Sequence, residues 1–322
     1  MVLSLATGDY SNLKPLLATT NLNSVTVRAP ATTANLGPGF DSIGMALDMW
    51  NDLTLTLGEF SVSSTGEGAD LVPHDTRNLA VTGVEAVFNH IGEPVPSLKY
   101  EQYNRVPFSR GMGSSSSAIV SGLVAGSAIS GADLSKEELT ILAADIEGHP
   151  DNVAPAIYGG CTVGVRNGDD KWIVDKVKLP EELYAVLFVP EVKMNTHESR
   201  ARLPDQISRT DAVYNIGRTA LLVNALSSGR LELLKYATDD RLHQPHRAQA
   251  FTAMPQLIEA AMKGGAHGAF LSGAGPTVLA LATGREVTIS YEMAETARIL
   301  GVEGKSMIVG VAHAGASVVS SS

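Results

Sequence analysis

Apolar and polar residues alternate along the first half of the chain in a way that predicts strands interspersed with helices. The alternation from Ser24 onward predicts a strand, and a crossing rich in Gly and Pro separates it from a second strand around residues 51–57. Further along, the pattern predicts helices at residues 75–90, 118–129 and 135–147, a strand at residues 98–107 and a hairpin within residues 160–179. The helix at residues 135–147 opens with a Ser-x-x-Glu capping box, which indicates where it begins.

The pattern changes near residues 179–180, and a strongly β-type run follows at residues 183–190. Beyond it, the pattern predicts helices at residues 211–226, 230–240 and 255–263, two short strands joined by a Gly-Pro turn within residues 268–282, and a last helix and strand. This mixture of strand pairs and helix pairs favours an α+β fold in two domains over a doubly wound parallel sheet. We expect an N-terminal extension at residues 1–23, a first domain at residues 24–179 and a second at residues 180–322.

Length, composition and charge limit the possible functions. The 322 residues suffice for about two domains, and 44% hydrophobic residues predict a globular chain. A net charge of −10 argues against coating nucleic acid or an anionic membrane. The longest uncharged stretch, residues 111–132, is broken by Gly and Ser, so we predict no transmembrane helix. Residues 1–23 fit neither a signal nor a transit peptide, and the single cysteine, Cys161, favours a reducing compartment such as the cytoplasm.

The strongest local signal is the run PFSRGMGSSSS at residues 107–117, which lies between an apolar strand and an apolar helix. Backbone amides of such a turn and of the first helical turn can bind phosphate, and serine hydroxyls add donors or a ligand to Mg²⁺. A flexible linker is the alternative interpretation. The dinucleotide fingerprint fails because Ser116 stands where glycine is needed, and residues 301–306 are too short for a Walker loop. No hydrolase or metalloprotease motif is present in the sequence.

Three further segments contain candidate chemistry. Residues 30–41 combine two Gly and two Pro with an amide and a carboxylate, although these side chains would also suit turn caps. Residues 147–152 place two carboxylates, an imidazole and an amide at a helix end. Residues 272–277 form a second Gly-rich turn, which either supports a ligand loop or is a plain hairpin. Arg200 and Arg247 are candidate clamps for an anion, or else solvated.

Taken together and in this order, the segments resemble the small-molecule kinase superfamily that includes galactokinase, homoserine kinase, mevalonate kinase and phosphomevalonate kinase, and most closely its homoserine kinase family. The resemblance covers about residue 24 to about residue 316. The segments that carry it are PATTANLGPGFDSIGMAL, PFSRGMGSSSSA, HPDNVAPAIYGG and SGAGPTV.

The resemblance implies a first domain with a left-handed β-α-β unit, a ferredoxin-like second domain and an active site between them. It implies a cytoplasmic homodimer that converts ATP and L-homoserine into ADP and O-phospho-L-homoserine, a step toward threonine. The residues implied to bind ATP are Asn78 near the adenine and Pro107, Phe108, Ser109, Arg110, Gly111, Met112, Gly113, Ser114, Ser115, Ser116 and Ser117 around the phosphates. Those implied to hold Mg²⁺ are Ser115 and Glu147. Those implied to bind homoserine are Asn35, Asp41, His149, Asn152, Arg200 and Arg247.

The catalytic residues implied by the resemblance are Asn152, Asp151 and Arg200. Asn152 stands where mevalonate kinase has a catalytic aspartate, and an amide cannot accept a proton. We therefore expect phosphoryl transfer by alignment and electrostatic stabilisation without a protein base. The rival hypothesis makes Asp151 the general base.

Two other functions stay open at this stage. One is another kinase of the superfamily, of mevalonate or archaeal shikimate type, but those substrates carry no ammonium group to match Asp41 and the paired arginines. The other is a non-catalytic interaction module. A protein that no longer binds ATP has no physical reason to keep the phosphate loop together with Glu147.

Overall fold

The computed structural model describes residues 22–169, 171–194 and 196–322, so most of the predicted N-terminal extension lies outside the described residues. Within these ranges, no helix is both long enough and apolar enough to span a lipid bilayer.

In the described chain, seven strands form one sheet with the order β11-β1-β2-β4-β3, and β5 pairs with β2 and with β6. These strands are β1 (Ser24–Ala34), β2 (Ile43–Leu57), β3 (Ser61–Gly66), β4 (Leu98–Asn104), β5 (Cys161–Arg166), β6 (Trp172–Val177) and β11 (Ser317–Ser321). β3 and β4 run parallel, whereas the other neighbours are antiparallel. The helix between β3 and β4 in the chain completes a β-α-β unit.

Among the described residues, four helices belong to this half: α1 (Leu79–Ile91), α2 (Ser114–Ser130), α3 (Lys136–Glu147) and α4 (Val153–Tyr158). α1 and α2 approach closely because Gly122 lies against α1, where a Cβ atom would come within 2.2 Å of the Ala80 carbonyl oxygen. Apolar side chains of β1, β2 and β4 pack with those of α1 and α2 in one core cluster. The predicted capping box of α3 is confirmed, since Ser135 and Glu138 bond each other's backbone amides.

The second half of the described chain contains a four-stranded antiparallel sheet with the order β10-β7-β9-β8. Its strands are β7 (Tyr184–Pro190), β8 (Gly268–Leu271), β9 (Val278–Ala282) and β10 (Gly304–Gly310). Its helices are α5 (Thr196–Ala201), α6 (Arg209–Ser228), α7 (Leu234–Ala237), α8 (Gln244–Arg247), α9 (Met254–Gly264) and α10 (Glu286–Ile299), with a 3₁₀ turn at Leu231–Leu233. This strand order, with helices between β7 and β8 and between β9 and β10, is the ferredoxin-like arrangement that the resemblance implies.

The structure differs from the predicted elements at several points. β2 begins at Ile43 rather than near residue 51, because both faces of its first part are buried and the residues there do not alternate. The helix predicted at residues 230–240 is broken into the 3₁₀ turn and α7. β3, α5, α8 and β11 were not predicted. The boundary at residues 179–180 falls between β6 and β7 and stays a prediction, while β11 pairs with β1 in the first sheet.

Candidate active site

A cavity of about 170 Å³ lies where segments from both halves of the chain meet. Its walls come from the loop after β1, the loop before α2 and the segment between α3 and α4, together with side chains of α5 and α8. The predicted site residues that line it are Asn35, Asp41, Phe108, Ser109, Arg110, Gly111, Met112, Gly113, Ser114, Ser115, Glu147, His149, Asp151, Asn152, Arg200 and Arg247. Residues far apart in sequence thus share one concave site, as expected for a binding site.

The loop before α2 needs glycine at two positions. Gly111 and Gly113 have φ values of +74° and +67°, which disfavour other residues. A Cβ atom on Gly113 would lie 1.9 Å from Thr32 Oγ1, and one on Gly111 would lie 2.2 Å from the Ser272 carbonyl oxygen. α2 then begins at Ser114, and its cap residue, Gly113, has no side chain to bond the first amides. Its first amides and the positive end of its dipole can therefore bind an anion.

Several side chains of this loop do not point into the cavity. The Met112 side chain is buried in the core. Ser117 Oγ donates to the Ala29 carbonyl oxygen, so it anchors α2 to β1. Ser116 is fully buried and its hydroxyl donates to Glu147. Pro107 faces a neighbouring cavity. The loop at residues 107–117 thus contributes to the cavity chiefly through its backbone and through Ser114 and Ser115.

Arg110 is directed at backbone carbonyl groups. Its guanidinium donates to the carbonyl oxygens of Phe108, Ser109, Pro190 and Glu191 at 2.5–3.3 Å. Burial lowers the pKa of Arg110 below its ordinary value. The arginine therefore fastens the loop to the end of β7.

A second cavity of about 270 Å³ adjoins the first and shares Leu79, Phe108, Ser114 and Ser115 with it. Its other walls include Val72, Asn78 and Val106, so a flat apolar group would fit against them. Asn78 is buried and caps α1 by accepting from the Ala80 amide. Its Nδ2 donates to the Pro73 carbonyl and to Gln102 Oε1. The predicted adenine residue lies in this wall, but its amide group is bonded to the protein.

Glu147 is held beside the start of α2. Its Oε1 accepts hydroxyl hydrogen bonds from Ser115 at 3.1 Å and from Ser116 at 3.2 Å. Burial raises the pKa of the Glu147 carboxyl, so a cation placed there would relieve the cost of its charge. A carboxylate and hydroxyl oxygens are donors that suit Mg²⁺, and these residues fit the predicted cation site.

A second cluster of titratable side chains, formed by Asp41, His149 and Asp151, lines the same cavity as Glu147. Side-chain atoms of Asp41, His149 and Asp151 lie within 4.8 Å of one another. His149 Nδ1 is 2.5 Å from Asp151 Oδ1. Although burial lowers the pKa of His149, the hydrogen bond to Asp151 and the nearby carboxylates raise it overall. The imidazole ligand and the pairing of Asp41 with an arginine make this group less suitable for Mg²⁺ than the oxygen set at Glu147.

Asn152 is fixed from two sides. Its Oδ1 accepts from Thr32 Oγ1 at 2.8 Å, and its Nδ2 donates to Asp151 Oδ1 at 3.3 Å. Asp151 is 3% exposed, and its Oδ1 has two partners, Asn152 and His149. These contacts fix the amide of Asn152 in the cavity wall.

Asp41 and Arg200 were each expected to meet the substrate, but they meet each other. Arg200 donates through both terminal nitrogens to the two carboxylate oxygens of Asp41, at 2.7 and 2.8 Å. The hydrogen bond to Asp41 raises the pKa of Arg200. The pair is partly exposed, with 43% of the arginine side chain and 31% of the aspartate side chain accessible, so a ligand can rearrange it.

Arg247 lies deeper and is 3% exposed. Its NH1 donates to the Gly273 carbonyl at 2.8 Å, while its Nε has no hydrogen-bond partner among the described residues. Burial, followed by the charge of Arg200, lowers the pKa of Arg247 to about 10. The Phe40 ring lies near both arginines, and its centroid is 5.6 Å from the guanidinium of Arg247 and 5.4 Å from that of Arg200.

The turn at residues 272–277 supports the other loops, as one of its two sequence interpretations allowed. Ser272 Oγ contacts Thr33 Oγ1 at 2.8 Å and the Gly111 carbonyl at 2.6 Å. Asn35 Nδ2 donates to the Gly273 carbonyl at 3.1 Å. The sequence analysis missed the roles of Thr32, Phe40 and His243, although Phe40 lies beside Asp41 in the motif and His243 lies one helical turn before Arg247.

Comparisons with known proteins identify the family of this chain. Residues 78–160 match the family described as GHMP kinases N terminal domain, and residues 222–297 match GHMP kinases C terminal. Fold and site thus define a two-domain small-molecule kinase of the GHMP class.

More specific similarities follow. The chain is 42% identical to a homoserine kinase of Desulfitobacterium hafniense over 92% of this chain and 100% of the relative. It is 44% identical to one of Carboxydothermus hydrogenoformans over 87% and 91%. The crystal structure of a homoserine kinase from Cytophaga hutchinsonii superposes with a TM-score of 0.84 at 28% identity, covering 93% of this chain and 98% of that one. The chain belongs to the homoserine kinase family, which confirms the resemblance seen in the sequence.

Proposed function

We propose that this protein is a homoserine kinase that transfers the γ-phosphoryl group of ATP to the side-chain hydroxyl of L-homoserine. One observation supports this most directly: a single cavity combines a glycine-rich loop at a helix start, the partly buried carboxylate of Glu147, and two arginines, one of which is paired with Asp41. The first two features suit a nucleotide with its cation, and the last suits an amino acid. The relatives' shared activity agrees with this combination.

In this proposal the backbone around Gly111 and Gly113 and the first amides of α2 bind the ATP phosphates, and the base occupies the second cavity. Glu147 and Ser115 hold Mg²⁺, because they present hard oxygen ligands beside the phosphate loop. When bound, Mg²⁺ supplies positive charge that stabilises the phosphate oxygens during transfer.

Homoserine carries an ammonium, a carboxylate and a hydroxyl. The buried guanidinium of Arg247, with its unpartnered Nε, suits the carboxylate. Asn35 and Asp41 suit the ammonium, and binding there rearranges the exposed pair of Asp41 with Arg200. Asn152, held by Thr32, orients the hydroxyl towards the phosphate loop.

We propose that transfer proceeds without a dedicated protein base. Asn152 cannot accept a proton, and the Asp151 oxygen nearest to it already accepts from His149 and Asn152. Asp151 then acts by holding these two side chains in place. The hydroxyl oxygen bonds to the γ-phosphorus while the bond from that phosphorus to the ADP oxygen breaks, and the hydroxyl proton passes to an oxygen of the transferred phosphoryl group. The remaining catalysis comes from alignment of hydroxyl and phosphate and from electrostatic stabilisation by amides and the helix dipole.

The proposal extends to cytoplasmic location, a role in threonine synthesis and a homodimer. Cys161 is a buried free thiol, which is compatible with a reducing compartment. α6 exposes Val213 and Ile216 at 63% and 68%, and apolar side chains of this kind favour self-association. Sedimentation equilibrium of the purified chain tests the dimer.

The reaction is tested by incubating purified protein with Mg-ATP and, separately, L-homoserine, mevalonate, shikimate or galactose, and measuring ADP. Of the four substrates, we expect only homoserine to cause ADP release, and phosphorus NMR should then show one phosphomonoester product. Added EDTA should stop the reaction if Mg²⁺ is required. Absence of ADP with homoserine, or release with mevalonate or shikimate instead, contradicts the proposal.

A further inference from the structure

A buried histidine connects the two sides of the amino-acid site. His243 is fully buried at the start of α8, and its ring makes two short contacts. Nε2 lies 2.7 Å from the Gly37 carbonyl oxygen, in the loop that leads to Asp41. Nδ1 lies 3.0 Å from NH1 of Arg247.

The polar neighbours of the two ring nitrogens determine the protonation of the ring. Nε2 faces two acceptors, the Gly37 carbonyl oxygen and Asp240 Oδ2 at 3.5 Å, so Nε2 carries the hydrogen. A guanidinium only donates, so Nδ1 is unprotonated. Burial lowers the pKa of His243 to about 4, which agrees with the neutral form at neutral pH. The ring therefore donates to the Gly37 loop and accepts from Arg247 at the same time.

The ring is itself firmly held. Asp240, fully buried, accepts from the backbone amides of His243 and Gln244 at 3.0 and 2.7 Å and from the Asn215 side chain at 2.7 Å. On its face, the ring stacks against Phe40 with a centroid distance of 5.3 Å. A side chain bonded at both nitrogens, with a fixed backbone and a stacked face, cannot shift without moving its neighbours.

A second connection runs parallel to the first. The Gly273 carbonyl oxygen accepts from NH1 of Arg247 at 2.8 Å and from Nδ2 of Asn35 at 3.1 Å. NH1 of Arg247 is thus connected to both ends of the segment 35–37: to Asn35 through the Gly273 carbonyl and to Gly37 through His243. In this arrangement, the distance between the carboxylate-binding arginine and the ammonium-binding segment depends on His243.

We propose that His243 is a positioning residue that sets this distance and thereby selects substrates with a carboxylate and an ammonium on one carbon. The inference rests on the proposed function and specifies how its substrate is recognised. His243 acts through Arg247 and the Gly37 loop and does not itself touch the substrate.

Two conservative variants separate the two contacts. In His243→Asn, the side-chain oxygen takes the place of Nδ1, so the bond from Arg247 is kept and the bond to Gly37 is lost. In His243→Gln, the amide nitrogen takes the place of Nε2, so the opposite bond is kept. Each variant loses one buried hydrogen bond and the ring. His267→Gln is the matched control, because His267 is partly buried and bonds only Thr283 Oγ1 among the contacts resolved for its side chain.

Two analogues of homoserine report on the two halves of the site: 3-aminopropan-1-ol lacks the carboxylate and 4-hydroxybutyrate lacks the ammonium. For each enzyme, the readouts are kcat, KM for homoserine and ATP, the melting temperature and the analogue's inhibition constant divided by the homoserine KM. We expect the homoserine KM to rise about tenfold in His243→Gln, as for loss of a hydrogen bond to a charged group, and about fivefold in His243→Asn, as for loss of a hydrogen bond between neutral groups. KM for ATP should stay unchanged in both variants. The His267→Gln enzyme should keep the wild-type values of kcat and of both KM constants.

The selectivity ratios should change in opposite ways. In His243→Gln the ratio for 3-aminopropan-1-ol should fall about tenfold, because homoserine loses carboxylate recognition that the analogue never had. In His243→Asn the ratio for 4-hydroxybutyrate should fall instead. If His243 has a merely structural role, both ratios should change equally in both variants, and these changes should follow the loss in melting temperature. That result overturns the inference.

A measurement on the wild-type enzyme covers the case of a variant that does not fold. Nitrogen-15 NMR of the histidine rings should show His243 as the neutral Nε2–H form at neutral pH, and homoserine, unlike a non-hydrolysable ATP analogue, should shift its Nδ1 resonance. The absence of a shift with saturating homoserine contradicts the inference. A wild-type enzyme that does not phosphorylate homoserine contradicts the proposed function itself, which is a separate outcome.

Discussion

A single methyl group added at Gly113 should disturb the candidate active site. It has φ +67° and lies at the start of α2, against the Thr32 side chain. Gly92 has nearly the same conformation, φ +72°, but a Cβ atom there would have no heavy atom within 4 Å. Substituting alanine at each position therefore separates the cost of the backbone conformation from the cost of the contact.

The magnitudes follow from these distances. The left-handed conformation costs about 1 kcal/mol for alanine at either position. At Gly113 the new Cβ would lie 1.9 Å from Thr32 Oγ1, so loop and strand must separate. Overpacking of this kind costs about 1–3 kcal/mol, and loss of the Thr32 hydrogen bond to Asn152 adds about 1 kcal/mol. We expect unfolding free energies lower by about 1 kcal/mol for Gly92→Ala and about 3–5 kcal/mol for Gly113→Ala.

Denaturant unfolding of wild type and both variants measures these differences, and ADP release measures the effect on function. Gly113→Ala should raise KM for ATP and lower kcat, because the phosphate loop moves and Asn152 loses its partner. Gly92→Ala should leave both kinetic constants unchanged. Equal unfolding free energies for the two variants, with unaltered kinetics in Gly113→Ala, would refute the assigned contact.

Three further predictions follow from the site. Asp151→Asn should lower kcat by less than about 100-fold, which is the low end for losing a general base, and a larger loss contradicts the base-free mechanism. Because Asp151 raises the pKa of His149, a pH–rate profile of this variant should show a lower pKa for His149. Burial raises the pKa of Glu147 in the folded protein, so protonation of its carboxyl group stabilises the folded state at low pH. This contribution to stability is lost as the pH rises through the folded-state pKa. In calorimetry, Glu147→Gln should therefore unfold at a higher temperature than wild type near about pH 8, and the difference should be smaller near about pH 4. The variant should also lose ADP release. An equal difference in unfolding temperature at the two pH values contradicts the effect of burial. Arg110→Met should raise KM for ATP without changing KM for homoserine in steady-state assays, because the loop loses its attachment to β7; an equal rise in both contradicts that role.

Local patterns were enough to predict most elements. The capping box of α3, the hairpin of β5 and β6 and the strand pair β8 and β9 are confirmed, because each depends on residues close together in sequence. β11 and the early start of β2 were missed because they form through distant partners. β11 pairs with β1, nearly three hundred residues earlier, and the first part of β2 is buried on both faces.

Motifs likewise indicated the candidate site better than the orientation of its side chains. The cavity collects most of the residues named from the sequence, since glycine conformations and a helix start determine the loop locally. The sequence did not indicate that Arg110 bonds backbone carbonyls, or that Asp41 pairs with Arg200 across 159 positions. Such partners are decided by packing, which brings together groups that no local pattern relates.

By itself, then, the sequence determined the family, the α+β class and the positions of the loops that can bind phosphate and an amino acid. These depend on residue type and short spacing, which the chain carries wherever it folds. Only the tertiary structure decided which charges are paired, which are buried without a partner, and that His243 joins Arg247 to the Gly37 loop. The physical reason is that a hydrogen bond or an ion pair depends on distances of a few ångströms between segments far apart in the chain, and these distances exist only after folding.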